Sequence, residues 1–370
     1  QSSFIPERRW RVTVHSPEED QQARRVLEEY PDHLRLPKGE LQPIYGGFSG
    51  ALIWRIVSDC GMFALRRWPH PGLPRGRIIG LHRLLEHVQS FGISFVAIPR
   101  RTRDGRTLIH FEDHDWQLES WLPGVADFHS FPSTERLLSS MTALSEWHRT
   151  AEHFVPDRHS AYWFLGPISG PSPAVMERLA ALQAANQVRV SELQQKIQRS
   201  WNTPFHEPAR RILDLFRGSQ QAIMRELTVV RDVHFRLQPC LRDISHDHLL
   251  YTNHRVTGLV DPSACRIENV ASDLSRLIGS MVKDDFLRWN TALSEYQQHL
   301  PLTTRELGLV ALLDRSGVLL SGWTWLEWIF LRERVFRDST VVLKRLQEIT
   351  ERMARLTDGA TNDSFKSLIR

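Results

Sequence analysis

Residues 241–250 read LRDISHDHLL and residues 259–264 read LVDPSA, and these two stretches decide the fold. The apolar residues between and around them predict a short β-hairpin. Because a hairpin returns the chain to its starting point, we expect Asp243 and His248 to lie near Asp261. Two carboxylates and an imidazole at one end of a hairpin can hold a divalent cation and position a hydroxyl group.

Upstream of these stretches the sequence predicts a small sheet. Apolar and polar residues alternate in short runs that are separated by glycine, proline and aspartate. Amphipathic helices are predicted over Glu18–Tyr30 and Arg77–Phe91. The predicted strands are Leu41–Tyr45, Ala51–Val57, Met62–Trp68, Phe95–Ile98, Thr107–Phe111 and Trp116–Leu122.

Downstream of Gly124 the apolar spacing becomes mainly helical. The predicted helices are Ser133–Glu152, Pro173–Trp201, Glu207–Val230, Ala271–Gln298, Thr303–Arg337 and Val341–Leu356, and a break near Gly317 or Gly322 stays open for Thr303–Arg337. The predicted organisation is therefore an N-terminal extension (1–40), a sheet-rich lobe (41–122) and a helical C-terminal lobe (123–370). The helical lobe is expected to carry the loops at 240–273.

The composition is that of a globular protein, since 41% of the 370 residues are hydrophobic and 24% are charged. Such a chain buries a sizeable core, which excludes disorder as its main state. Three scattered cysteines do not make a disulfide framework, and no secretory signal is predicted, so the expected location is the cytoplasm. The formal charge of +4 comes without a long basic block, and we predict no nucleic-acid partner. The most apolar stretch, Val318–Leu331, is too short to span a membrane.

The hairpin motifs resemble the catalytic and metal loops of protein-kinase-like enzymes. An Asp, a metal ligand five positions later, a short hairpin and an apolar strand ending in Asp follow one another in that order. The Asp-Leu pair at 273–274 is similar to that of the aminoglycoside phosphotransferase and choline kinase branch. Upstream, GGFSG at 46–50 resembles the nucleotide loop, FALR at 63–66 the cation-bearing third strand, and QLESWLPG at 117–124 the hinge between lobes.

The resemblance implies an α+β, bilobal, protein-kinase-like fold with a small antiparallel-sheet N-lobe, which binds nucleotide, and a larger, mostly helical C-lobe. It implies a phosphotransferase that moves the γ-phosphoryl group of ATP to a hydroxyl of a small molecule, with Mg²⁺ or Mn²⁺. The implied roles are a catalytic base for Asp243, metal ligation for His248 and Asp261, a contact to the α/β-phosphates for Arg66, a backbone cover of the phosphates for Gly46, Gly47 and Ser49, and adenine contacts for the backbone from Glu119 to Trp121. The acceptor and the oligomeric state are left open.

Several positions depart from the family pattern. His248 stands where the family has Asn, and a neutral imidazole is a poorer partner for Mg²⁺ than an amide oxygen, which makes Mn²⁺ an alternative. Arg66 stands where the family has Lys. The family pairs this cation with a Glu on the next helix. Here Leu81 falls near that position, and Glu86, more than one turn later, is either the replacement or a solvated residue. Ser263 replaces the Gly of the metal motif.

Two other functions stay open. The same departures are expected of a nucleotide-binding or scaffold protein that has lost catalysis. The triplet His246-Asp247-His248, with Asp243 and Asp261 as further ligands, also fits a metal-dependent hydrolase, although this leaves the sheet-rich lobe without a role. Two roles, which do not exclude each other, likewise stay open for Asp273: a cap of the following helix and, by the resemblance, a brace of the catalytic loop.

Overall fold

The computed structural model describes residues 15–34, 41–44, 50–334, 336 and 339–357. Within these ranges a small antiparallel sheet is followed by a mainly helical C-terminal part, which confirms the predicted α+β class. The helices are α1 (Pro17–Leu27), α2 (Arg75–Ser90), α3 (Thr134–Ala151), α4 (Ala161–Phe164), α5 (Pro173–Ala184), α6 (Gln187–Arg199), α7 (His206–Val230), α8 (Ala271–Val282), α9 (Phe286–His299), α10 (Thr304–Leu326) and α11 (Ser339–Thr357). The strands are β1 (Gln42–Ile44), β2 (Leu52–Ser58), β3 (Gly61–Arg67), β4 (Ile109–Phe111), β5 (His114–Ser120), β6 (Ser169–Pro171), β7 (His234–Arg236), β8 (Gln238–Cys240), β9 (Leu249–Thr252), β10 (Arg255–Leu259) and β11 (Arg266–Glu268).

The chain divides into two compact units. Unit one comprises residues up to 127 together with 149–165 and 247–263. Unit two comprises 128–148, 166–246 and the chain from 264 onward. The lobe boundaries predicted at residues 40 and 122 stay a prediction.

The sheet of unit one has the strand order β1-β2-β3-β5-β4, and its neighbouring strands are antiparallel. In the pairing of β3 with β5, Leu65 lies opposite Leu118 and Arg66 lies opposite Gln117. Because successive side chains of a strand point to opposite faces, the two leucines share one face and the two polar residues share the other. The register therefore gives the sheet one apolar face and one polar face.

The apolar face packs against α1. A capping box starts this helix, since the Ser16 hydroxyl accepts from the Glu19 amide and the Glu19 carboxylate accepts from the Ser16 amide. The indole of Trp54 donates to Asp20 of the helix at 2.6 Å. The resulting core contains Ala23, Val26, Leu27, Tyr30, Leu52, Trp54, Ile56, Phe63, Leu65, Trp116 and Leu118. The helix is thus part of the core of the sheet unit.

The polar face lies under α2. This helix buries an apolar stripe that includes Ile78, Leu81 and Leu85, and within the stripe it carries one buried histidine, His82. The ring of His82 hydrogen-bonds to the side chain of Gln117 on β5. Polar residues of the sheet are therefore covered by protein.

The predicted hairpin is confirmed as β9 and β10, with Leu249 opposite Leu259. Asn253 makes the turn with φ at +57°, a left-handed conformation that asparagine tolerates better than most residues. The hairpin also pairs with the segment after Gly124, because Val125 and Tyr251 exchange two backbone hydrogen bonds of 3.0 and 2.9 Å. These bonds attach the hairpin to the segment that follows Gly124.

The strand predicted at Phe95–Ile98 is wrong. This segment forms single bridges only, one between Val96 and Leu259 and one between Pro99 and Glu119. Its carbonyls accept from two different partners, the Leu259 amide at Phe95 and the Ser120 amide at Ile98. Because Pro99 lacks an N–H and the partners change, no continuous ladder forms.

Two helices predicted as continuous are each divided in two, so those predictions are also wrong. Asn186 interrupts the first, since its side chain accepts from the amides of Val188 and Arg189 and caps α6. The second ends at Lys283, whose φ is +54°, and restarts at Asp285, which caps α9. In each case apolar spacing continues across the break, while a short polar side chain sets a new helix start.

In unit two, α10 packs against α7, α8 and α11. Gly279 permits a close approach of α8 to α10, because a Cβ at this position would lie 2.5 Å from an Asp314 carboxylate oxygen. Arg352 of α11 pairs with Asp314 at 2.9 Å and with Asp284 at 3.1 Å. Among the helices that the structure describes, none combines the length and the apolar character that crossing a membrane requires.

Candidate functional site

Asp243 follows a tight turn in unit two. The Asp243 amide donates to the Leu241 carbonyl at 2.8 Å, and the residue between them, Arg242, has φ at +63°. A three-residue turn with a positive central φ is rare and strained. Such a turn persists only where its surroundings hold it.

The buried carboxylate of Asp273 holds this turn. It accepts from the Leu241 amide at 2.7 Å and from the Arg242 amide at 2.6 Å. Asp273 lies inside α8, which begins at Ala271, so the brace role proposed from sequence is confirmed and the cap role is wrong. Burying an unpaired carboxylate costs roughly several kcal/mol. The Asp273 carboxylate therefore needs these two hydrogen bonds, and the turn needs the carboxylate.

A third bond orients Asp273. His148 of α3 shares a hydrogen bond of 3.0 Å with the carboxylate and one of 2.7 Å with the Tyr296 hydroxyl. Among the described residues, His148, Cys240 and Asp273 form a group of three potential metal ligands. Burial raises the pKa of the Cys240 thiol well above its usual value, so it stays protonated. His148 therefore orients the carboxylate that braces the turn.

The side chains at the turn point to exposed partners. Arg242 pairs with Glu177, 3.2 Å from one of its nitrogens, and lies 3.9 Å from buried Glu268. Asp243 itself forms an ion pair with Arg276 of α8. Asp243 is 58% exposed and Arg276 is 44% exposed. The turn thus presents the Asp243 carboxylate to solvent beside the partly exposed Arg276 guanidinium.

In unit one, Arg66 and Glu119 form a buried ion pair. Two guanidinium nitrogens of Arg66 lie 3.4 and 3.3 Å from one Glu119 oxygen, and the side chains are 10% and 11% exposed. Burial lowers the pKa of Arg66, but the carboxylates of Glu119 and Asp261 outweigh it and raise the pKa above its ordinary value. Arg67 points to the other face and pairs with Glu19 of α1 at 2.6 Å. Of the two arginines, Arg66 therefore faces Asp261.

Asp261 and His248 lie at the base of the hairpin. The Val260 amide donates to the His248 carbonyl at 2.9 Å, which sets His248 beside the end of β10. Asp261 follows with φ at +55°. Asp261 lines a cavity of about 30 Å³ together with Arg66 and Glu119. The three charged groups border this cavity, which has room for about two water molecules and is too small for a nucleotide.

Sequence reasoning missed the partner of Arg66. Glu86, considered as its replacement partner on the helix, pairs instead with exposed Arg101. The partner is Glu119, which the sequence assigns only to backbone contacts. Alternation was the available signal, because Gln117 and Glu119 alternate with buried Trp116 and Leu118 on one strand.

The remaining predicted nucleotide contacts are not tested. Gly46, Gly47 and Ser49 lie outside the described residues. In the hinge segment, the Trp121 amide donates to the Met62 carbonyl at 3.0 Å. The adenine role of Glu119 to Trp121 stays a prediction.

The small antiparallel sheet and the mainly helical C-terminal part have the architecture expected of a phosphotransferase of the protein-kinase-like class. Residues 40–308 match the model of the phosphotransferase enzyme family. The chain therefore belongs to the phosphotransferase enzyme family, and the predicted enzyme class is confirmed.

Solved structures show the same fold at low sequence identity. An aminoglycoside phosphotransferase from Alicyclobacillus acidocaldarius matches with a TM-score of 0.61 and 15% identity, over 100% of this chain and 97% of that chain. A spectinomycin phosphotransferase in complex with ADP and spectinomycin matches with a TM-score of 0.64 and 12% identity, over 92% and 99%. An amicoumacin kinase in complex with AMP-PNP and Ca²⁺ matches with a TM-score of 0.60 and 15% identity, over 90% and 99%. No curated protein matches the sequence.

Proposed function

We propose that this phosphotransferase moves the γ-phosphoryl group of ATP to a hydroxyl of a small molecule. Similar structures are a spectinomycin phosphotransferase with ADP and an amicoumacin kinase with AMP-PNP, which supports an adenine nucleotide as the donor. An aminopropanol kinase of the same fold supports a small hydroxyl-bearing acceptor. The proposed location is the cytoplasm.

The observation that carries the proposal is the turn braced by Asp273. Phosphoryl transfer needs little covalent chemistry from the protein, so catalysis depends on positioning and on charge neutralisation. A carboxylate held on a strained, doubly hydrogen-bonded turn is positioned in this sense. We assign Asp243 as the group that orients the acceptor hydroxyl and accepts its proton. Arg66 is assigned to the α/β-phosphates of the nucleotide.

A divalent cation, Mg²⁺ or Mn²⁺, fits the donor set at the base of the hairpin. Asp261 offers carboxylate oxygens, which suit both ions, and His248 offers an imidazole, which suits Mn²⁺ better. When bound, such a cation neutralises charge on the nucleotide phosphates. The proposed phosphate cover is the backbone at Gly46, Gly47 and Ser49, and the proposed adenine contacts are those from Glu119 to Trp121.

The test is transfer from ATP, measured as ADP release with Mg²⁺ and Mn²⁺ across a panel of hydroxyl compounds. We expect Asp243→Asn to lower turnover by about 10²- to 10⁴-fold, the usual contribution of a positioned base. Nucleotide binding is expected to persist, because the proposed partner of this carboxylate is the acceptor hydroxyl and not the nucleotide. Asp232→Asn is the matched control, since Asp232 is also an exposed aspartate paired with an arginine of unit two. Equal turnover in both variants would contradict the assignment of Asp243.

A nucleotide-binding protein without catalysis is the second candidate. The observation in its favour is that Arg66 and His248 stand where the family has Lys and Asn. Binding of Mn-ATP without turnover, across the whole panel and with either metal, would support this candidate over the enzyme. The hydrolase alternative predicts tightly bound zinc or iron, which elemental analysis of the purified protein detects.

A further inference from the structure

A buried chain of hydrogen bonds continues from the Arg66–Glu119 pair. One oxygen of Glu119 accepts from Arg66, and the other accepts from the side-chain amide of Gln117 at 2.5 Å. The carbonyl oxygen of Gln117 lies 2.8 Å from the Trp68 indole nitrogen and 2.8 Å from Nε2 of His82. This series of hydrogen bonds therefore links strands β3 and β5 to helix α2.

The donors in this chain have a fixed order. An indole N–H only donates, so the oxygen of the Gln117 amide must face Trp68 and its NH₂ group must face Glu119. His82 must then carry its proton on Nε2 and donate it to Gln117. Its Nδ1 accepts from the Thr107 hydroxyl at 2.9 Å. Burial lowers the pKa of His82 to about 4, which agrees with a neutral ring at neutral pH.

Helix α2 offers no acid to Arg66. Glu86, which pairs with Arg101, is 30% exposed. Where the family resemblance places a glutamate, α2 carries apolar Leu81, and next to it the neutral His82. The carboxylate paired with Arg66 comes from Glu119 of β5, the strand paired with β3, and a second negative charge nearby comes from Asp261.

We propose that Glu119 is the positioning residue for the phosphate-binding cation, and that Gln117 and His82 hold Glu119 in place. This inference rests on the proposed function, in which Arg66 contacts the nucleotide phosphates. The ion pair joins two strands of one sheet, and the helix is linked to it only through neutral hydrogen bonds. The geometry of Arg66 is then set by the sheet register.

The test compares the affinities of AMP-PNP and adenosine, measured by calorimetry in the presence of Mn²⁺. Adenosine lacks phosphates, so the dissociation constant of adenosine divided by that of AMP-PNP isolates the phosphate contacts. A lower ratio means weaker phosphate contacts. We expect Glu119→Gln to reduce this ratio about tenfold, the size expected when a hydrogen bond to a charged group is lost. A role in folding alone would lower the melting temperature and leave the ratio as it is.

Helix α2 supplies two further variants. We expect His82→Leu to reduce the ratio about threefold, because Gln117 then loses the donor that holds it. His82→Gln is expected to restore the ratio, since a glutamine side chain can both donate to Gln117 and accept from Thr107. Glu86→Gln is the matched control and should leave the ratio unchanged.

The outcomes separate the two proposals. An unchanged or increased ratio in Glu119→Gln, with normal binding of AMP-PNP by the wild type, overturns the role of Glu119 alone. A ratio reduced by Glu86→Gln also overturns it, because the helix acid would then be the partner. If the wild type does not bind AMP-PNP at all, the proposed function fails and this inference fails with it. Should Glu119→Gln not fold, Glu119→Asp takes its place, because the shorter acid cannot reach both Arg66 and Gln117, and the same reduction is expected.

Discussion

Arg242 and Asp261 both hold left-handed backbone conformations, with φ at +63° and +55°. They are two of six non-glycine residues with positive φ in the described part of the chain. Such a conformation costs about 1–3 kcal/mol per residue and is retained where the surroundings enforce it. Arg242 directly precedes the proposed base, and Asp261 is the proposed metal ligand. Two of the six strained positions therefore precede or carry a proposed site residue.

His82 gives a prediction about pH at the scale of one residue. Its pKa is about 4 in the folded chain and 6.5 when exposed, so the unfolded chain takes up a proton between these values and the folded chain does not. Stability is therefore expected to fall as the pH falls from 6.5 towards 4, by up to about 3 kcal/mol from this group. His82→Gln should weaken this dependence in urea unfolding measured across that range.

The control for this prediction is His153→Gln, which removes an exposed histidine of the same unit. It should keep the wild-type dependence on pH. If both variants follow the wild-type curve, the neutral state of buried His82 contributes nothing to acid sensitivity.

Single residues also mark how far the sequence reaches into the site. The order of motifs predicts the hairpin that ends before Asp261, because it follows a local pattern, whereas the tight turn at Asp243 is seen in the structure alone. The partner of Arg66 is not predicted, since it depends on the register of β3 and β5, which brings Glu119 close. Residues 53 positions apart in sequence meet there, and alternation along β5 shows only that Gln117 and Glu119 share a face, not which residue of β3 lies beside them.

Among the elements, the link between the segment at 122–125 and the hairpin of β9 and β10 depends on Gly124. Its φ is +102°, and a Cβ would lie 2.6 Å from the Thr257 hydroxyl and 2.8 Å from the Tyr251 carbonyl oxygen. Gly124→Ala is therefore expected to destabilise the protein by more than the roughly 1–2 kcal/mol of backbone strain alone. Thermal unfolding measures the loss.

Gly92→Ala separates strain from steric clash. Gly92 has a similar φ of +92°, and nothing lies within 4 Å of its Cβ position. It should show the backbone cost alone, so the melting temperature should fall further in Gly124→Ala. Equal losses would mean that the hairpin moves aside without cost.

Element type was predictable where periodicity extends over a whole element, as in α2 and α7. Element ends were less so. The apolar spacing from Pro173 to Trp201 continues across Asn186, although this residue caps a new helix. In the same way, Lys283 leaves the helical conformation inside an apolar pattern. Capping competes with periodicity over one or two residues, and periodicity measured over a longer window hides it.

The whole chain extends beyond the family match, which ends at residue 308. The rest of α10 and all of α11 lie after that point, and both pack against α7 in unit two. The buried Arg352 ties α11 to Asp314 and Asp284. This C-terminal part therefore belongs to the core of unit two.

Ligand binding offers a prediction for the whole molecule, because a ligand that binds only the folded state raises its stability. We expect Mn-ATP to raise the melting temperature more than Mg-ATP does, since an imidazole at position 248 suits Mn²⁺ better. His248→Asn should reduce or reverse this preference. His254→Asn, on the same hairpin, should keep it. A preference for Mg²⁺ in the wild type would speak against His248 as a ligand.

The position of α1 has a practical consequence for anyone who shortens the chain. The family match begins at residue 40, and trimming to that boundary would delete the helix. Leu52, Leu65 and Leu118 would then lose their cover, and the Trp54 indole would lose its acceptor. A contiguous apolar surface of this kind promotes aggregation. Recombinant versions that retain the helix are the ones expected to remain in solution.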